Sequence, residues 1–545
     1  MLRQFFSKAP VLSNGRRSIG TVGYNAKLKV DLNEKLDRKT KIICTVGPST
    51  WDKPGIKGLL ERGMNVLRLN FSHGTHEQKR RVIGDLRDVL STIRQEGDWD
   101  FSDGSREDLC AIAADTKGPE IRTGLFESEE NRTVFLKAGQ TITLSTDVKD
   151  KETGTADRIW CDYATLPDEL TVGQRIFIDD GLLSLIVTQM NPGQRTITCE
   201  VENGGKLGEQ KGINIPEPFK SNLPSLTEQD AQDLAFAAEN GVDIIFASFI
   251  RSRRDVQAVR NALGEKGKRI QVISKIENRE GCDNFDAILE ESDGIMVARG
   301  DLGIEIPAHT VFLAQKMMIS KCNIVGKPVI CATQMLESMV ENPRPTRAEC
   351  GDVANAVLDG ADAVMLSGET AKGNYPFGAV EMMSQICKEA EVAIDYDSLF
   401  RQMRGINSKS TLPSTFHKSI ETIATSAVVA SLEIDATAIV CFSYSGGMVR
   451  ALAKYRPNCP ILCVTSSERV GNSVLLNRGI IPLFIPEEDM QDLSKGMSTV
   501  MKELGDMKLF SDAQSGNDST EGSGKLVVIG RFDVNRPHDP VMTLV

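Results

Sequence analysis

The chain has 545 residues, more than one hydrophobic core normally holds, so its length alone predicts two to four domains. Its formal net charge is −11 with no basic cluster in the body of the chain, which argues against nucleic acid as the main partner. No apolar run approaches about 18 residues, so no membrane span is predicted.

Twelve cysteines and five histidines limit the metal and redox chemistry to be expected. The cysteines form no CxxC pair, a pattern typical of reduced thiols in an intracellular protein. The histidines form no HExxH motif and no cluster with cysteine, so a zinc site is not expected.

Residues 1–30 differ from the rest of the chain, because they carry six lysines and arginines and no acidic residue. This composition is typical of a transit peptide for mitochondria or another organelle, and a disordered N-terminal tail explains it equally well. Under either interpretation, residues 1–37 form an N-terminal extension outside the fold.

From residue 38 to about residue 400, short apolar runs alternate with helix-length segments. Eight runs have the composition of buried strands: 40–47, 64–71, 109–116, 242–249, 270–276, 294–299, 328–333 and 362–367. Helices are predicted between them, for example at 227–241, 254–267 and 346–360. Eight such units favour a closed parallel (β/α)8 TIM barrel formed by residues 38–118 and 223–400, with a doubly wound open sheet as the alternative.

One segment interrupts this pattern after the third strand. Between residues 119 and 222 the apolar residues alternate with period two, and Gly-containing turns separate the runs. This pattern predicts a small all-β domain inserted in a βα loop of the barrel. Because such loops surround the active site of a barrel, the insertion is predicted to act as a lid.

Residues 401–545 return to alternating helices and strands. Strands are predicted at 436–443, 460–465, 480–485 and 525–530, and the polar stretch 515–525 is predicted as a surface loop. The alternation predicts a separate C-terminal domain with an open α/β sheet.

Polar residues follow six of the eight predicted barrel strands. They include Arg68, Asn70, Ser72 and His73; Asp115, Thr116 and Lys117; Lys275 and Glu277; Arg299 and Asp301; Thr333 and Gln334; and Ser367 and Glu369. All of them fall at the end of the barrel where active sites lie. A solvated barrel end would be polar in any case, but matched acids and bases on six strands favour a catalytic site.

The residue types in this set suit phosphoryl transfer. Glu277 and Asp301 are carboxylates from adjacent strands, which is what Mg²⁺ uses beside water and substrate phosphate. Arg68 and Arg122 supply guanidinium groups, each of which can bind one phosphate through two hydrogen bonds. Such mixed-sign clusters support phosphoryl transfer by positioning and charge stabilisation. The chain contains neither GxxxxGK[ST] nor GxGxxG, so any nucleotide site uses other contacts.

Nine stretches resemble the pyruvate kinase family. They are KTKIICTVGPS, NVLRLNFSHG, DTKGPEIRTG, VENGGKLGEQKGIN, SKIEN, VARGDLGIEIP, CATQMLESM, RPTRAE and VMLSGETAKGNYP. The similarity is collinear from about residue 38 to 395 and continues more weakly to the C-terminus. It implies transfer of a phosphoryl group from phosphoenolpyruvate to ADP, giving pyruvate and ATP.

The resemblance also implies roles for individual residues. The implied ligands of Mg²⁺ (or Mn²⁺) are Glu277 and Asp301, and those of K⁺ are Asn70, Ser72, Asp115 and Thr116. The implied contacts with phosphoenolpyruvate are Arg68, Lys275, Gly300, Asp301 and Thr333. The implied contacts with the nucleotide or the transferred phosphoryl group are Arg68, Asn70, His73, Arg122 and, from the lid, Lys211. Thr116, Lys117, Glu120 and Thr123 resemble the K⁺-dependent branch of the family.

The chemistry implied for this site centres on Lys275. Loss of the phosphoryl group leaves the enolate of pyruvate, and a cation beside its oxygen acts like an oxyanion hole. The enolate then needs a proton on carbon, from Thr333 or from water near Ser367 and Glu369. Two other hypotheses stay open: a Schiff-base aldolase that uses Lys275, and an inactive sensor of phosphorylated metabolites.

A second ligand site is predicted in the C-terminal domain. Residues Ser443, Tyr444, Ser445, Gly446 and Gly447 follow a strand and open a helix, where backbone N–H groups bind phosphate. In regulated family members this loop holds a sugar-phosphate activator. Residues 530–545 lack the Trp- and Gly-rich loop of animal forms regulated by fructose 1,6-bisphosphate, so another phosphorylated effector, or none, is expected. The resemblance further implies a homotetramer and, by default, a cytoplasmic location.

Overall fold

The fold is given by a computed structural model. The model describes residues 20–29, 37–96, 108–127, 132–179, 181–216, 223–407, 415–506, 525–530 and 541–544. Within these ranges no helix is long and apolar enough to cross a membrane. The predicted loop 515–525, except its last residue, and most of the segment 1–30 lie outside the described residues.

The first part of the barrel alternates strands and helices as predicted. A helix that was not predicted, α1 (Gly20–Asn25), lies in the N-terminal extension. The barrel elements that follow are β1 (Lys41–Thr45), α2 (Lys53–Leu60), β2 (Val66–Asn70), α3 (His76–Glu96) and β3 (Ala111–Asp115). Every residue of β1 and β3 is buried. Strands buried on both faces read as continuous apolar runs, which is why they were recognisable in the sequence.

The insertion is built almost entirely of strands. Its elements are β4 (Ile121–Arg122), β5 (Thr133–Leu136), β6 (Thr141–Ser145), β7 (Arg158–Trp160), α4 (Leu166–Glu169), β8 (Arg175–Ile178), β9 (Leu183–Asn191), β10 (Thr196–Asn203), β11 (Gly205–Gly208) and β12 (Gly212–Asn214). Seven strands form one sheet in the order β4-β12-β8-β9-β10-β6-β7, and β11 pairs with β5. The predicted β insertion is confirmed; the short helix α4 was not predicted.

The second part of the barrel supplies five more strands. They are β13 (Ile244–Ala247), β14 (Gln271–Ile276), β15 (Gly294–Ala298), β16 (Val329–Ala332) and β17 (Ala363–Leu366). The helices are α5 (Glu228–Glu239), α6 (Arg253–Gly267), α7 (Arg279–Asp283), α8 (Phe285–Glu291), α9 (Arg299–Glu305), α10 (Val311–Val325), α11 (Arg347–Asp359), α12 (Gly368–Ala371) and α13 (Pro376–Val392).

Local sequence signals set the ends of these helices. Thr227 and Thr346 form capping boxes at the starts of α5 and α11. Gly360 ends α11 with φ 104°, a left-handed conformation that glycine adopts without steric cost. Helix α6 differs from the prediction, because Gly264 breaks its regular dihedrals with φ 58° and ψ −161°.

The eight parallel strands close into a barrel in the order β1-β17-β16-β15-β14-β13-β3-β2, which confirms the predicted fold. Alternate residues of each strand face inward, so the barrel interior is a separate apolar cluster that includes Ile43, Val66, Ile273 and Met296. Leu475 and Leu476 from the C-terminal domain complete that cluster at the base of the barrel.

The C-terminal part forms the predicted open sheet. Its elements are α14 (Tyr396–Asn407), α15 (Thr415–Glu433), β18 (Ala438–Phe442), α16 (Gly447–Lys454), β19 (Ile461–Thr465), α17 (Glu468–Ser473), β20 (Ile480–Phe484), α18 (Glu487–Gln491), α19 (Leu493–Asp506), β21 (Leu526–Gly530) and β22 (Val541–Leu544). The strand order is β20-β19-β18-β21-β22. Strand β22 was not predicted, and it pairs antiparallel with β21 at the edge of an otherwise parallel sheet.

Candidate active site

The predicted site residues continue the inward-facing positions of the strands. Arg68 and Asn70 follow the interior residue Val66 in steps of two, and Lys275 and Glu277 follow Ile273 in the same way. Asp115 likewise ends β3. We call the carboxyl end of the barrel, where these side chains meet, the mouth.

Lys275 lies at the centre of the mouth. Its ammonium nitrogen Nζ is 3.0 Å from Asp115 Oδ1 and 3.1 Å from Glu277 Oε1. It also donates a hydrogen bond of 2.7 Å to Ser248 Oγ. Burial alone would lower the pKa of Lys275, but Asp115 and Glu277 outweigh it and raise the pKa above its usual value. The lysine is therefore a fixed positive charge at neutral pH.

Asp115 joins Lys275 to Arg68. Arg68 Nε donates to Asp115 Oδ2 at 2.6 Å, and Arg68 Nη1 donates to Thr45 Oγ1 at 2.8 Å. Burial would raise the pKa of Asp115, but Arg68 and Lys275 lower it below its ordinary value. A predicted potassium ligand thus lies in one network with the predicted phosphate-binding arginine and the predicted enolate-facing lysine.

Glu277 and Asp301 are the two carboxylates predicted for a divalent cation. Glu277 is 1% exposed, and its Oε2 accepts a hydrogen bond of 2.5 Å from Phe249 N. Asp301 lines the cleft at the mouth, and its charge adds to the raised pKa of Lys275. Among the described residues, no three His, Cys, Asp or Glu side chains form a metal cluster. One or two protein carboxylates are the usual share of an Mg²⁺ shell, which water and substrate phosphate complete.

The other predicted potassium ligands are oxygens at the ends of β2 and β3. Asn70 Oδ1 accepts a hydrogen bond of 3.0 Å from Ser72 N. Thr116 Oγ1 accepts one of 3.1 Å from Ser248 N. With Asp115 they form an oxygen-only set carrying one carboxylate, a donor chemistry that suits a hard cation.

Thr333 follows β16 in an unusual backbone conformation. Its φ is 68° and that of Gln334 is 53°, so two successive non-glycine residues are left-handed. Such residues cost on the order of 1–3 kcal/mol each and cluster at functional sites. The Thr333 hydroxyl accepts a hydrogen bond of 2.7 Å from Gly300 N and donates one of 2.6 Å to Ala332 O. The predicted substrate contacts Gly300 and Thr333 are thus neighbours in space.

Ser367 and Glu369 follow β17. Glu369 is 1% exposed, and its two oxygens accept hydrogen bonds from Leu336 N at 3.1 Å and Ser367 N at 2.7 Å. Burial raises the pKa of this carboxyl above its usual value. Its contacts therefore tie the loop after β16 to the loop after β17.

A cleft of about 570 Å³ lies between the mouth and the insertion. The predicted nucleotide contacts His73, Arg122 and Lys211 line it, together with Asp301. Arg122 Nε donates to Glu120 Oε2 at 2.6 Å, and Lys211 Nζ donates to Asp179 Oδ1 at 2.8 Å. Burial and then the charge of Arg122 lower the pKa of His73, so its imidazole is neutral at physiological pH.

One hydrogen bond in the described residues crosses this cleft from the insertion to the short helix α9. Asn214 Nδ2, at the end of β12, donates to Glu305 Oε1 at 3.1 Å. Burial raises the pKa of Glu305 to about 7, against the opposing effect of the Asn214 hydrogen bond. No motif in the sequence singles out this contact.

The predicted effector loop lies in the C-terminal domain and not at the mouth. Ser443 Oγ accepts a hydrogen bond of 3.0 Å from Gly446 N, and Gly446 has φ 76° as the N-cap of α16. Tyr444 is 39% exposed, and Arg450 Nη1 donates to Ser445 O at 3.2 Å. With Gly447, these residues form the predicted turn between β18 and α16.

Two further residues at the mouth were not predicted from the sequence. Ser248 accepts from Lys275 and donates to Thr116 O at 2.6 Å. Phe249, with φ 53°, provides the backbone N–H that binds Glu277. A single serine and a backbone amide carry no recognisable motif; their position just after β13 is the only signal that could have identified them.

Two family models match the chain. "Pyruvate kinase, barrel domain" matches residues 37–380, and "Pyruvate kinase, alpha/beta domain" matches residues 421–516. The chain is 48% identical over 462 residues to Pyruvate kinase PKLR of Homo sapiens, covering 84% of this chain and 77% of the human protein.

Similar relatives occur in distant organisms. The chain is 46% identical over 470 residues to a pyruvate kinase of Dictyostelium discoideum, covering 86% of this chain and 88% of that protein. It is 46% identical over 447 residues to Pyruvate kinase 2 of Trypanosoma brucei brucei, covering 82% and 85% respectively. With a closed barrel, an inserted β domain and charged strand ends in the same chain, these matches show that the protein belongs to the pyruvate kinase family of phosphotransferases.

Proposed function

We propose that the protein transfers the phosphoryl group of phosphoenolpyruvate to ADP and releases pyruvate and ATP. The observation that carries this proposal is the fixed positive charge of Lys275 between Asp115 and Glu277, at the mouth of a barrel of this family. A cation held in place before the reaction stabilises developing negative charge without reorganisation, and this is usually the largest single contribution to catalysis.

The chain's own residues divide the work in this proposal. Arg68 holds the phosphoryl group, and Lys275 faces the oxygen that becomes the enolate. Gly300 and Thr333 contact the rest of phosphoenolpyruvate from the ends of β15 and β16. Asn70, His73, Arg122 and Lys211 contact the nucleotide from the barrel and from the insertion, which excludes water by acting as a lid.

Two cations complete the proposed site. Glu277 and Asp301 would hold Mg²⁺ or Mn²⁺, and Asn70, Ser72, Asp115 and Thr116 would hold K⁺. When bound, these ions would neutralise phosphate charge and orient the transferring group. The oxygen-only donor sets described above support this assignment.

Protonation of the enolate carbon is assigned to Thr333 or to water held near Ser367. Glu369 is occupied by two backbone N–H groups, which supports a positioning role for it and leaves the proton to one of the other groups. The Thr333 hydroxyl accepts from Gly300 N and donates its proton to Ala332 O, so it would deliver that proton to carbon only after releasing Ala332 O, and water near Ser367 stays the alternative donor.

The environment of Lys275 argues against the aldolase alternative. A Schiff base requires a neutral amine, whereas Asp115 and Glu277 raise the pKa of Lys275. Borohydride treatment in the presence of pyruvate should therefore leave no adduct on Lys275. An adduct at this residue would revive the alternative.

A coupled assay tests the main proposal. Purified protein should form pyruvate from phosphoenolpyruvate and ADP, with an absolute requirement for Mg²⁺ and a higher rate in K⁺ than in Na⁺. Correctly folded protein that binds phosphoenolpyruvate without forming pyruvate under these conditions would support the inactive sensor instead.

Further proposals concern regulation, assembly and location. The loop of residues 443–447 would bind a phosphorylated effector, and the functional unit would be a homotetramer.

The proposed domain limits are 38–118 with 223–400 for the barrel, 119–222 for the insertion and 401–545 for the C-terminal domain. A fusion of residues 1–30 to a fluorescent reporter would distinguish organellar targeting from a cytoplasmic location.

A further inference from the structure

The guanidinium group of Arg299 binds the backbone of the neighbouring strand end. Arg299 begins α9 directly after β15, and its side chain turns toward the residues that follow β16. Nη2 donates to Thr333 O at 2.8 Å and to Gln334 O at 3.3 Å. Nε lies 3.3 Å from both Ala332 O and Thr333 O. A single side chain therefore binds three successive carbonyl groups.

Two of those carbonyls, of Thr333 and Gln334, belong to the left-handed segment at the mouth, and the third ends β16. Thr333 is β-branched, and a positive φ at such a residue is a conformational outlier that persists only where its surroundings enforce it. Gly300 N fixes its hydroxyl, while Arg299 binds its carbonyl. The two contacts come from consecutive residues of α9. This helix therefore fixes both the side-chain hydroxyl and the backbone carbonyl of Thr333.

Asp352 fixes the guanidinium in turn. This residue lies on α11, outside the mouth, with its Oδ1 2.7 Å from Arg299 Nη1 and its Oδ2 2.7 Å from Nη2. An arginine held by a carboxylate through both of its terminal nitrogens has a defined plane as well as a defined position. The Arg299 side chain is only 11% exposed, whereas that of Asp352 is 38% exposed, so water reaches the pair mainly from the Asp352 side.

We propose that the Arg299–Asp352 pair is a positioning device that sets the location of the Thr333 hydroxyl for the step at the enolate carbon. The inference rests on the proposed function, in which Thr333 contacts the reacting molecule. The described contacts of Arg299 all lie within the protein: its donors are directed at the carbonyls of residues 332–334, at Asp352 and at neighbouring side chains, so it acts on Thr333 through the backbone of that segment. Through Asp352, the position of the Thr333 hydroxyl also depends on α11, a helix that supplies no residue to the proposed site.

A double-mutant cycle on kcat tests the proposal. Arg299→Lys keeps the positive charge but removes the planar guanidinium that binds several carbonyls at once. We expect kcat to fall by about tenfold or more, because small displacements of catalytic groups have large effects on rate. The KM for phosphoenolpyruvate should change less than about threefold. Asp352→Asn should also lower kcat, but by a smaller factor than Arg299→Lys does.

The cycle is completed in a Thr333→Ala background. There the hydroxyl that Arg299 positions no longer exists, so Arg299→Lys should lower kcat further by less than about twofold. The unfolding midpoint should shift equally in both backgrounds, because the contacts with the backbone carbonyls are still lost. Additive losses of kcat in the two backgrounds would overturn the proposal, and so would an unchanged kcat of the single variant.

A matched control separates positioning from the general effect of removing an ion pair that ends on α11. Lys316 of α10 pairs with Asp359 of α11 and is 53% exposed. Lys316→Gln should leave kcat within about twofold of the unsubstituted protein. If the unsubstituted protein itself fails to form pyruvate, the proposed function fails, whereas the positioning proposal fails only on the cycle.

Discussion

Lys275 Nζ and Asp115 Oδ1 lie 3.0 Å apart at the centre of the mouth. The family resemblance implies different roles for them, stabilisation of the enolate for Lys275 and binding of potassium for Asp115. Their contact means that the charge at one position affects the other, because each shifts the pKa of its partner toward the charged form. Changes at either residue are therefore expected to affect both substrate chemistry and cation binding.

Lys275→Met should abolish turnover while preserving the binding of phosphoenolpyruvate. The substitution removes the cation that faces the developing enolate, and loss of one such group typically lowers kcat by about 10² to 10³-fold. Steady-state kinetics gives kcat, and isothermal titration with phosphoenolpyruvate in the presence of Mg²⁺ gives the affinity. A kcat within about tenfold of the unsubstituted protein would show that Lys275 is not the enolate stabiliser.

Glu277→Gln should raise the Mg²⁺ concentration needed for half-maximal activity by about tenfold or more, because one of two carboxylate ligands is lost. Glu369→Gln is the matched control, since Glu369 is an equally buried glutamate at the mouth whose oxygens accept backbone N–H groups. Its Mg²⁺ requirement should not change. Equal shifts in the two variants would refute the assignment of Glu277 as a metal ligand.

Glu120→Lys should reduce the requirement for K⁺. Glu120 pairs with Arg122 and lies four positions after the predicted potassium ligand Thr116 in the chain, and a lysine there would supply a permanent cation in place of the ion. Activity is compared in K⁺ and in Na⁺ at equal ionic strength, and the ratio should approach one. Glu120→Gln removes the carboxylate without adding a cation, so it should keep the K⁺ dependence. An unchanged ratio in Glu120→Lys would discredit the role of this residue.

Lys41 predicts a specific pH dependence of stability at the base of the barrel. It is fully buried and donates to Ile480 O at 2.7 Å, and burial, followed by the charge of Arg38, lowers its pKa to about 7. Between about pH 7 and pH 10.5 the unfolded chain binds a proton here that the native chain does not, so stability rises with pH in this window.

Lys41→Met should remove that rise. Denaturant unfolding of the unsubstituted protein should show a gain on the order of 2–3 kcal/mol between about pH 7 and pH 9.5 from this residue. The variant should show a correspondingly smaller gain. Identical pH dependence in both proteins would mean that Lys41 is charged in the native state.

The barrel and most of its mouth could be predicted because both follow from short-range periodicity. Strands such as β3 are buried along their whole length, and the step of two from Ala113 to Asp115 places the charge on the inner face. The insertion was recognisable because the spacing of its apolar residues changes from the helical period of 3.6 to the strand period of 2. These features depend on neighbouring residues and require no knowledge of tertiary contacts.

The contacts that could not be predicted join distant parts of the chain through backbone atoms. Arg299 binds the carbonyl of a residue 34 positions away, and Phe249 offers an N–H to a carboxylate 28 positions away. In each contact one residue contributes only a backbone atom, so its own side chain leaves no motif in the sequence. The left-handed conformation of Thr333 is equally hidden, because it is imposed by its neighbours and opposes the residue's own preference.

Leu475 and Leu476 give the barrel a base that is encoded far from its walls. All eight strands have been synthesised when the chain reaches Leu366, more than 100 residues before this pair of leucines. During synthesis the walls of the barrel thus exist before its base, and an apolar ring faces solvent in the interval. Exposed apolar surface of this kind promotes aggregation and binds chaperones. The order of the domains along the chain therefore makes the C-terminal domain a late step in barrel folding.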